Sequence, residues 1–178
     1  MEELEVKILD VSREAVEARL GAAGAKLVFD GEMSAVFFDY PDGSIQAARN
    51  LLRLRREGDR VILTFKGYVP GAIVKARLES EVEVSDFETT RAILQGLGLR
   101  PVRTVTKHRT AYELPGVRFA IDRHMGDLAY IPEFMEIEVD DRATLEGHTR
   151  LLGFSPADWR PWGLPELIEH YSGAAPRH

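Results

Sequence analysis

Residues 51–67, LLRLRREGDRVILTFKG, read as two strands around the turn Glu57-Gly58-Asp59. Side chains alternate between the two faces of a strand. Arg53 and Arg55 therefore share a face, opposite Leu52 and Leu54. In the second strand Thr64 and Lys66 share a face, opposite Leu63 and Phe65. Like charges two apart on one face repel modestly unless something sits between them. Arginine in particular suits planar or phosphate-like partners.

The same alternation recurs on either side. MEELEVKI, residues 1–8, sets Glu3, Glu5 and Lys7 against Leu4, Val6 and Ile8. ARLESEVEV, residues 76–84, sets Arg77, Glu79, Glu81 and Glu83 against Leu78, Ser80, Val82 and Val84. Further on, Lys107 and Arg109 lie opposite His108 and Thr110, and Asp122 lies opposite Phe119 and Ile121. Glu136 and Glu138 lie opposite Met135, Ile137 and Val139. Two arrangements fit. The charged faces are washed by water, or they line the inside of a barrel whose apolar faces pack outward against helices. In the second arrangement the charges need partners, because an unpaired buried charge costs several kcal/mol. A polyanion with divalent metal would satisfy both signs. Bases hold phosphate oxygens. Carboxylates hold Mg²⁺ or Mn²⁺, hard cations that prefer oxygen.

Between the strands lie helix patterns. DVSREAVEARLGAAGAKL, residues 10–27, has Ser12 as a cap, Glu14 in the first turn, Val16 and Leu20 on one face, and Gly24 as a stop. SAVFFDYPDGS, residues 34–44, is a short apolar strand closed by a Pro-Asp-Gly turn. SDFETTRAILQGLG, residues 85–98, is a helix with Ser85 and Glu88 as a capping box. DRATLEGHTRLLGF, residues 141–154, places Leu145, His148, Leu151 and Leu152 on one side, and LPELIEHY, residues 164–171, is a last short helix. Gly67, Pro70 and Gly71 mark residues 67–75 as a loop suited to a lid or to a plain connector. Charged strand, Ser-capped helix and glycine stop occur twice, in residues 4–27 and 80–101, as expected of one domain built from two similar halves.

The chain has 178 residues, no cysteine, 44% hydrophobic content and a net charge of -6. That size suits a single domain. The acidic balance argues against a nucleic-acid binder. Disulfides and thiolate metal sites are excluded, and no apolar run approaches the ~20 residues that span a bilayer. We expect a cytoplasmic protein, monomer or homodimer. His108 and His148 are not at metal-ligand spacing and read as packing or surface residues. Trp159 and Trp162 read as core cover.

ELEVK, FFDYPDG, LLRLRREGDRVILTFKG, ARLESEVEV, KHRTAYEL, FAID and FMEIE, in that order, resemble the CYTH family over roughly residues 3 to 140. Its members are class IV adenylate cyclases, thiamine triphosphatases and inorganic triphosphatases. The resemblance implies an α+β fold, an eight-stranded antiparallel β-barrel (a triphosphate tunnel) with helices packed outside. It implies that Lys7, Arg53, Arg55, Lys66, Lys107 and Arg109 bind the triphosphate and serve catalysis. It implies that Glu3, Glu5, Asp122, Glu136 and Glu138 converge on Mg²⁺ or Mn²⁺, with Glu79 and Glu81 serving a second metal or supporting the bases. Arg77 and Glu83, at strand ends, suit the tunnel or the surface equally. The expected substrate is ATP, cyclised to cAMP and pyrophosphate. The alternatives are hydrolysis of thiamine triphosphate or tripolyphosphate, and polyphosphate binding without turnover. Two features depart from the family pattern. No lysine follows Lys107, and Leu164-Pro165 stand where cyclases carry a tyrosine, which leaves His170 and Tyr171 without an assigned role.

Overall fold

The structure is a computed structural model that describes residues 2–68 and 76–174. Its strands are β1 (Glu2–Ile8), β2 (Lys26–Asp39), β3 (Leu51–Glu57), β4 (Arg60–Tyr68), β5 (Ala76–Val84), β6 (Arg100–Leu114), β7 (Val117–His124) and β8 (Phe134–Val139). Its helices are α1 (Arg13–Ala22), α2 (Ser44–Ala47), α3 (Phe87–Gly96), α4 (Arg142–Leu151) and α5 (Leu164–Tyr171). The strands close in the order β1-β5-β4-β3-β2-β6-β7-β8, antiparallel at every junction. Closure leaves no unpaired sheet edge. No helix among the described residues is long and apolar enough to cross a membrane.

The two faces sort as the alternation predicts, with charge inside. The outward residues Val6, Ile8, Phe119, Ile121, Met135 and Ile137 pack with Val16 and Leu20 of α1 and with Leu145 and Leu152 at α4. A second cluster joins Val36, Phe38, Leu54 and Val61 to Phe87 and Leu94 of α3. Most of the core therefore lies between barrel and helices, on the outside of the sheet, and a third cluster packs Ile131 and Phe134 against Leu167 of α5. Trp159 and Trp162 pack at the edges of such clusters, as cover. His148 stands edge-on to Phe119, 6.0 Å between ring centres.

Several local expectations change. β2 begins at Lys26, well before Ser34, and pairs with β6 through two register shifts. Its first part, with Leu27 and Val28 exposed, lacks the clean alternation that marks a strand. The cap of α3 is Asp86, whose carboxylate accepts the Thr89 N–H at 2.6 Å, and not Ser85. Leu151 is exposed, so the covering face of α4 is narrower than its leucines suggest. Gly67 and Tyr68 belong to β4, and the rest of the expected lid, residues 69–75, lies outside the described residues.

Strand direction puts the tight turns at Gly58 and Gly116 at one mouth of the barrel. The longer connections 40–50 and 125–133 sit at the other. The first of these is anchored by Asp39, which is buried and accepts the N–H groups of Tyr40 at 2.7 Å, Ile45 at 2.9 Å and Gln46 at 3.0 Å. Asp39→Ala would leave those donors without their carboxylate. We expect it to cost at least ~2 kcal/mol, since hydrogen bonds to a charged group contribute ~1.5–3 kcal/mol each. Urea denaturation measures this, and an unchanged midpoint would mean that water replaces the carboxylate.

Candidate active site

The barrel encloses a cavity of about 1410 Å³. Register fixes what faces it. Lys7 of β1 lies opposite Glu136 of β8, and Glu5 lies opposite Glu138. Arg109 of β6 lies opposite Asp122 of β7. Arg53 of β3 lies opposite Thr64, which lies opposite Glu81, and Lys66 of β4 lies opposite Glu79 of β5. Of the predicted residues, Lys7, Arg53, Arg55, Lys66, Lys107, Arg109, Glu5, Glu79, Glu81, Glu136 and Glu138 all line this one cavity. Asp122 is fully buried behind Lys107 and Arg109. The backbone of Glu3 pairs with that of Arg77, and the side chains of both lie outside the described residues. Glu83 pairs with Arg60 at 3.0 Å, and both side chains are exposed, which settles the surface role for Glu83.

The interior ion pairs form two walls. On one, Arg109 grips both oxygens of Asp122, at 2.7 and 2.6 Å, and also reaches Glu136. Lys107 shares Asp122. Lys7 bridges Glu5 at 2.5 Å and Glu136 at 2.8 Å. Burial alone would raise the Glu136 carboxyl, but Lys107, Lys7 and Arg109 outweigh it and hold it well below the ordinary range. Asp122 is lowered in the same way, its burial overcome by Arg109 and Lys107. Lys107 is pushed down by burial and by neighbouring Arg109.

The second wall is looser. Arg55 meets Glu81 at 3.3 Å and Glu57 at 3.6 Å, and its own pKa is lowered by burial and by Arg53 beside it. Lys66 meets Glu79 at 2.7 Å. The Arg53 side chain makes no hydrogen bond or ion pair among the described residues, and the Nε atoms of Arg53 and Arg55 are buried without a partner. Burying such donors is costly unless something accepts from them.

The carboxylates answer the metal question in part. Among the described residues no three acidic or imidazole groups stand together at ligating geometry. Asp122 has both oxygens held by Arg109 and Lys107, and Glu136 has one oxygen on Lys7 and the other on Arg109. Glu138, with Glu5 directly opposite and Glu136 beside it on the same face, is the carboxylate best placed to meet a cation. The Glu138 side chain makes no hydrogen bond or ion pair among the described residues. Burial raises its carboxyl, and so do Glu136 and Glu5, against an opposing pull from Arg109. Like charges directly opposite on paired strands destabilise the sheet, and a hard divalent cation between them would relieve this.

One interior residue escaped the sequence reading. His124 lies opposite Lys107, two positions past Asp122 on the same face, and is 5% exposed. Its ring sits 5.6 Å from that of Phe134. Burial, then the Lys107 charge, lower its pKa to about 4. The alternation that selects Asp122 selects His124 too, once uncharged polar residues are counted. The tail is also placed. Arg160 pairs with the Lys7 backbone, and the Tyr171 hydroxyl donates to Asp10 at 2.9 Å.

A closed antiparallel barrel with an ion-lined interior and a helical jacket defines a tunnel protein. Residues 1–151 match the family described as CYTH domain, and the chain belongs to that family. It is 28% identical over 138 residues to a candidate adenylate cyclase of Methanocaldococcus jannaschii, covering 78% of this chain and 77% of that one. The structure superposes on the PH1012 protein of Pyrococcus horikoshii with a TM-score of 0.76 and 27% identity, covering 94% of this chain and 99% of that one. It shares its fold, at a TM-score of 0.61 and 16% identity, with a Hippeastrum protein, covering 97% of this chain and 96% of that one. That protein, a candidate adenylyl cyclase, is described as having a dominant triphosphatase activity.

Glu138 gives the site a pH signature. Its carboxyl titrates above the ordinary value of 4.5 when folded, so the unfolded chain releases this proton first as pH rises. Stability is therefore lost as pH climbs from about 4.5 through the folded pKa, and the loss persists at neutral pH. Glu138→Gln removes it. Without metal, the variant should melt above the wild type at about pH 7, and the gap should close near pH 4. Mg²⁺ should then stabilise the wild type more than the variant. Equal Mg²⁺ response in the two would place the cation elsewhere.

Proposed function

We propose that this protein is a divalent-metal-dependent enzyme that grips a triphosphate along the tunnel. The observation that carries the reading is Arg53, a half-buried interior guanidinium with no partner among the described residues, beside Arg55, whose Nε is likewise unmatched. Two guanidinium forks and Lys66 on adjacent strands suit phosphoryl oxygens, which accept bidentate, charge-assisted bonds. Lys107 and Arg109 face them from β6.

The favoured reaction is cyclisation of ATP. Phe37, Leu51 and Tyr68 all line the cavity. Phe37 lies directly opposite Arg53 and Leu51 directly opposite Lys66, while Tyr68 is two residues beyond Lys66 on the same face of β4, toward the mouth. A flat organic head would rest there while its phosphates reach the bases. The 3′-oxygen then attacks the α-phosphorus, the bond to the β-phosphate breaks, pyrophosphate leaves, and the hydroxyl proton is released. The bases position the chain and spread the charge that develops on its oxygens. A divalent cation held by Glu5, Glu136 and Glu138 would supply further charge neutralisation. The Methanocaldococcus relative supports this reading. Hydrolysis is the second reading, since the same grip serves an attacking water and the Hippeastrum fold-mate is described as a triphosphatase.

Incubation with ATP, thiamine triphosphate or tripolyphosphate, each with Mg²⁺ or Mn²⁺, separates the two. Release of cAMP and pyrophosphate supports cyclisation, release of phosphate supports hydrolysis, and no product from any of them sinks the enzyme. Arg53→Lys keeps the charge and loses the fork. It should lower kcat/KM by at least ~10-fold with an unchanged melting curve, because a charge-assisted hydrogen bond contributes ~1.5–3 kcal/mol. Wild-type activity in that variant would mean that Arg53 does not touch phosphate.

A further inference from the structure

Among the interior polar groups, His124 is kept at a cost with no structural return. Its Nδ1 is buried and has no hydrogen-bond partner among the described residues. An orphaned buried polar atom is unfavourable, and an apolar ring of the same shape would avoid the loss. Phe134 already offers an aromatic neighbour for such a ring, at 5.6 Å. A purely packing role would thus be better filled by phenylalanine. Residues that lower stability without a structural reason tend to mark functional positions.

The ring's chemistry follows from its surroundings. A buried bare acceptor is tolerated better than a buried bare N–H. The neutral imidazole therefore leaves Nδ1 unprotonated and carries its proton on Nε2, which is not among the buried unmatched atoms, and the residue lines the cavity. Lys107 is the residue directly opposite, and side chains so paired stand within reach of one common ligand atom. Lys107 is drawn to Asp122, so it brings charge to that spot but little spare direction. An uncharged N–H donor beside it adds a directed hydrogen bond without adding to the repulsion among Lys107, Arg109 and Lys7.

We propose that His124 is a substrate-contacting residue, whose Nε2–H donates to the same phosphoryl group that Lys107 holds. The proposal rests on the triphosphate reading above. It specifies which group of the tunnel, besides the cations, recognises phosphate. It also predicts a trade: the residue lowers the stability of the empty protein and raises that of the complex.

Two variants test this. His124→Phe keeps the ring and removes both nitrogens, while His124→Gln keeps a donor at similar reach. The readouts are the melting temperature without ligand, the shift on adding magnesium tripolyphosphate, and kcat/KM on whichever triphosphate the wild type turns over. We expect His124→Phe to melt at or above the wild type when empty, to show a smaller tripolyphosphate shift, and to lose at least ~10-fold in kcat/KM, as for a hydrogen bond to a charged group. His124→Gln should recover most of the shift and of kcat/KM. A His124→Phe protein that melts lower but keeps its tripolyphosphate shift and kcat/KM would overturn the proposal. So would equal impairment of the two variants. The wild-type shift serves as the control: its absence counts against the triphosphate reading itself, whereas a normal wild-type shift left intact in His124→Phe counts against His124 alone.

Discussion

Arg109 holds the barrel's interior together. Its guanidinium spans Asp122 on β7 and Glu136 on β8, and Glu136 in turn receives Lys7 from β1. Four strands are therefore tied by one continuous chain of opposite charges. Such a chain is not a cheap source of stability, because the desolvation of each ion offsets most of the Coulombic gain. Its value lies in what happens when a link is missing: removing one partner of a buried pair strands the other and costs ~3–5 kcal/mol. The lattice thus fixes register. A one-residue slip of β1 would turn Lys7 and Glu5 outward and bury Val6 and Ile8 among charges.

A charged interior forces the rest of the architecture. The usual barrel fills its centre with apolar side chains; here the apolar faces look outward and must be covered from outside. Helices α1 and α4 do this over β1, β7 and β8, and α3 does it over β2, β3 and β4. The jacket is incomplete over β5, where Leu78 and Val82 remain 60% and 55% exposed. Among the described residues β5 is also joined to β1 at three paired positions, against eight with β4. Both facts locate the least supported part of the barrel at the strand that follows residues 69–75.

Much of this was legible because a strand's period is two and the charges obey it. Arg53 with Arg55, Lys107 with Arg109, and Glu136 with Glu138 each announce a face, and every such face points inward. Alternation alone left that direction open, since a water-washed face has the same period. The ordered motifs resolved it by resemblance. Closure was not legible from any one strand, because β1 joins β5 on one side and β8 on the other, contacts far apart in sequence. Nor was the partner of each charge. Asp122 is enclosed by Arg109 and Lys107, a fact of how β6 and β7 pair. The early part of β2 was missed because its exposed Leu27 and Val28 break alternation, and His124 because only formal charges were counted.

The two walls differ in a way that bears on how a triphosphate would enter. The β1/β6/β7/β8 wall is saturated: Asp122 and Glu136 occupy its cations with short, nearly dry contacts. The β3/β4/β5 wall is not, since Arg55 has only longer contacts and Arg53 has none among the described residues. Glu81, the acid opposing Arg55, is itself about a third exposed and so gives up little on losing that contact. On the proposed reading, an anion meets the unsatisfied guanidiniums first, where it displaces almost nothing. It can then draw Lys107 and Arg109 toward it only by competing with Asp122. Because Asp122 is fully buried, it cannot be left alone with its charge. The cations must therefore be shared between Asp122 and phosphate rather than surrendered. That sharing keeps the far wall rigid while the near wall binds, and it lets one tunnel hold a highly charged ligand without loosening the lattice that keeps the barrel closed.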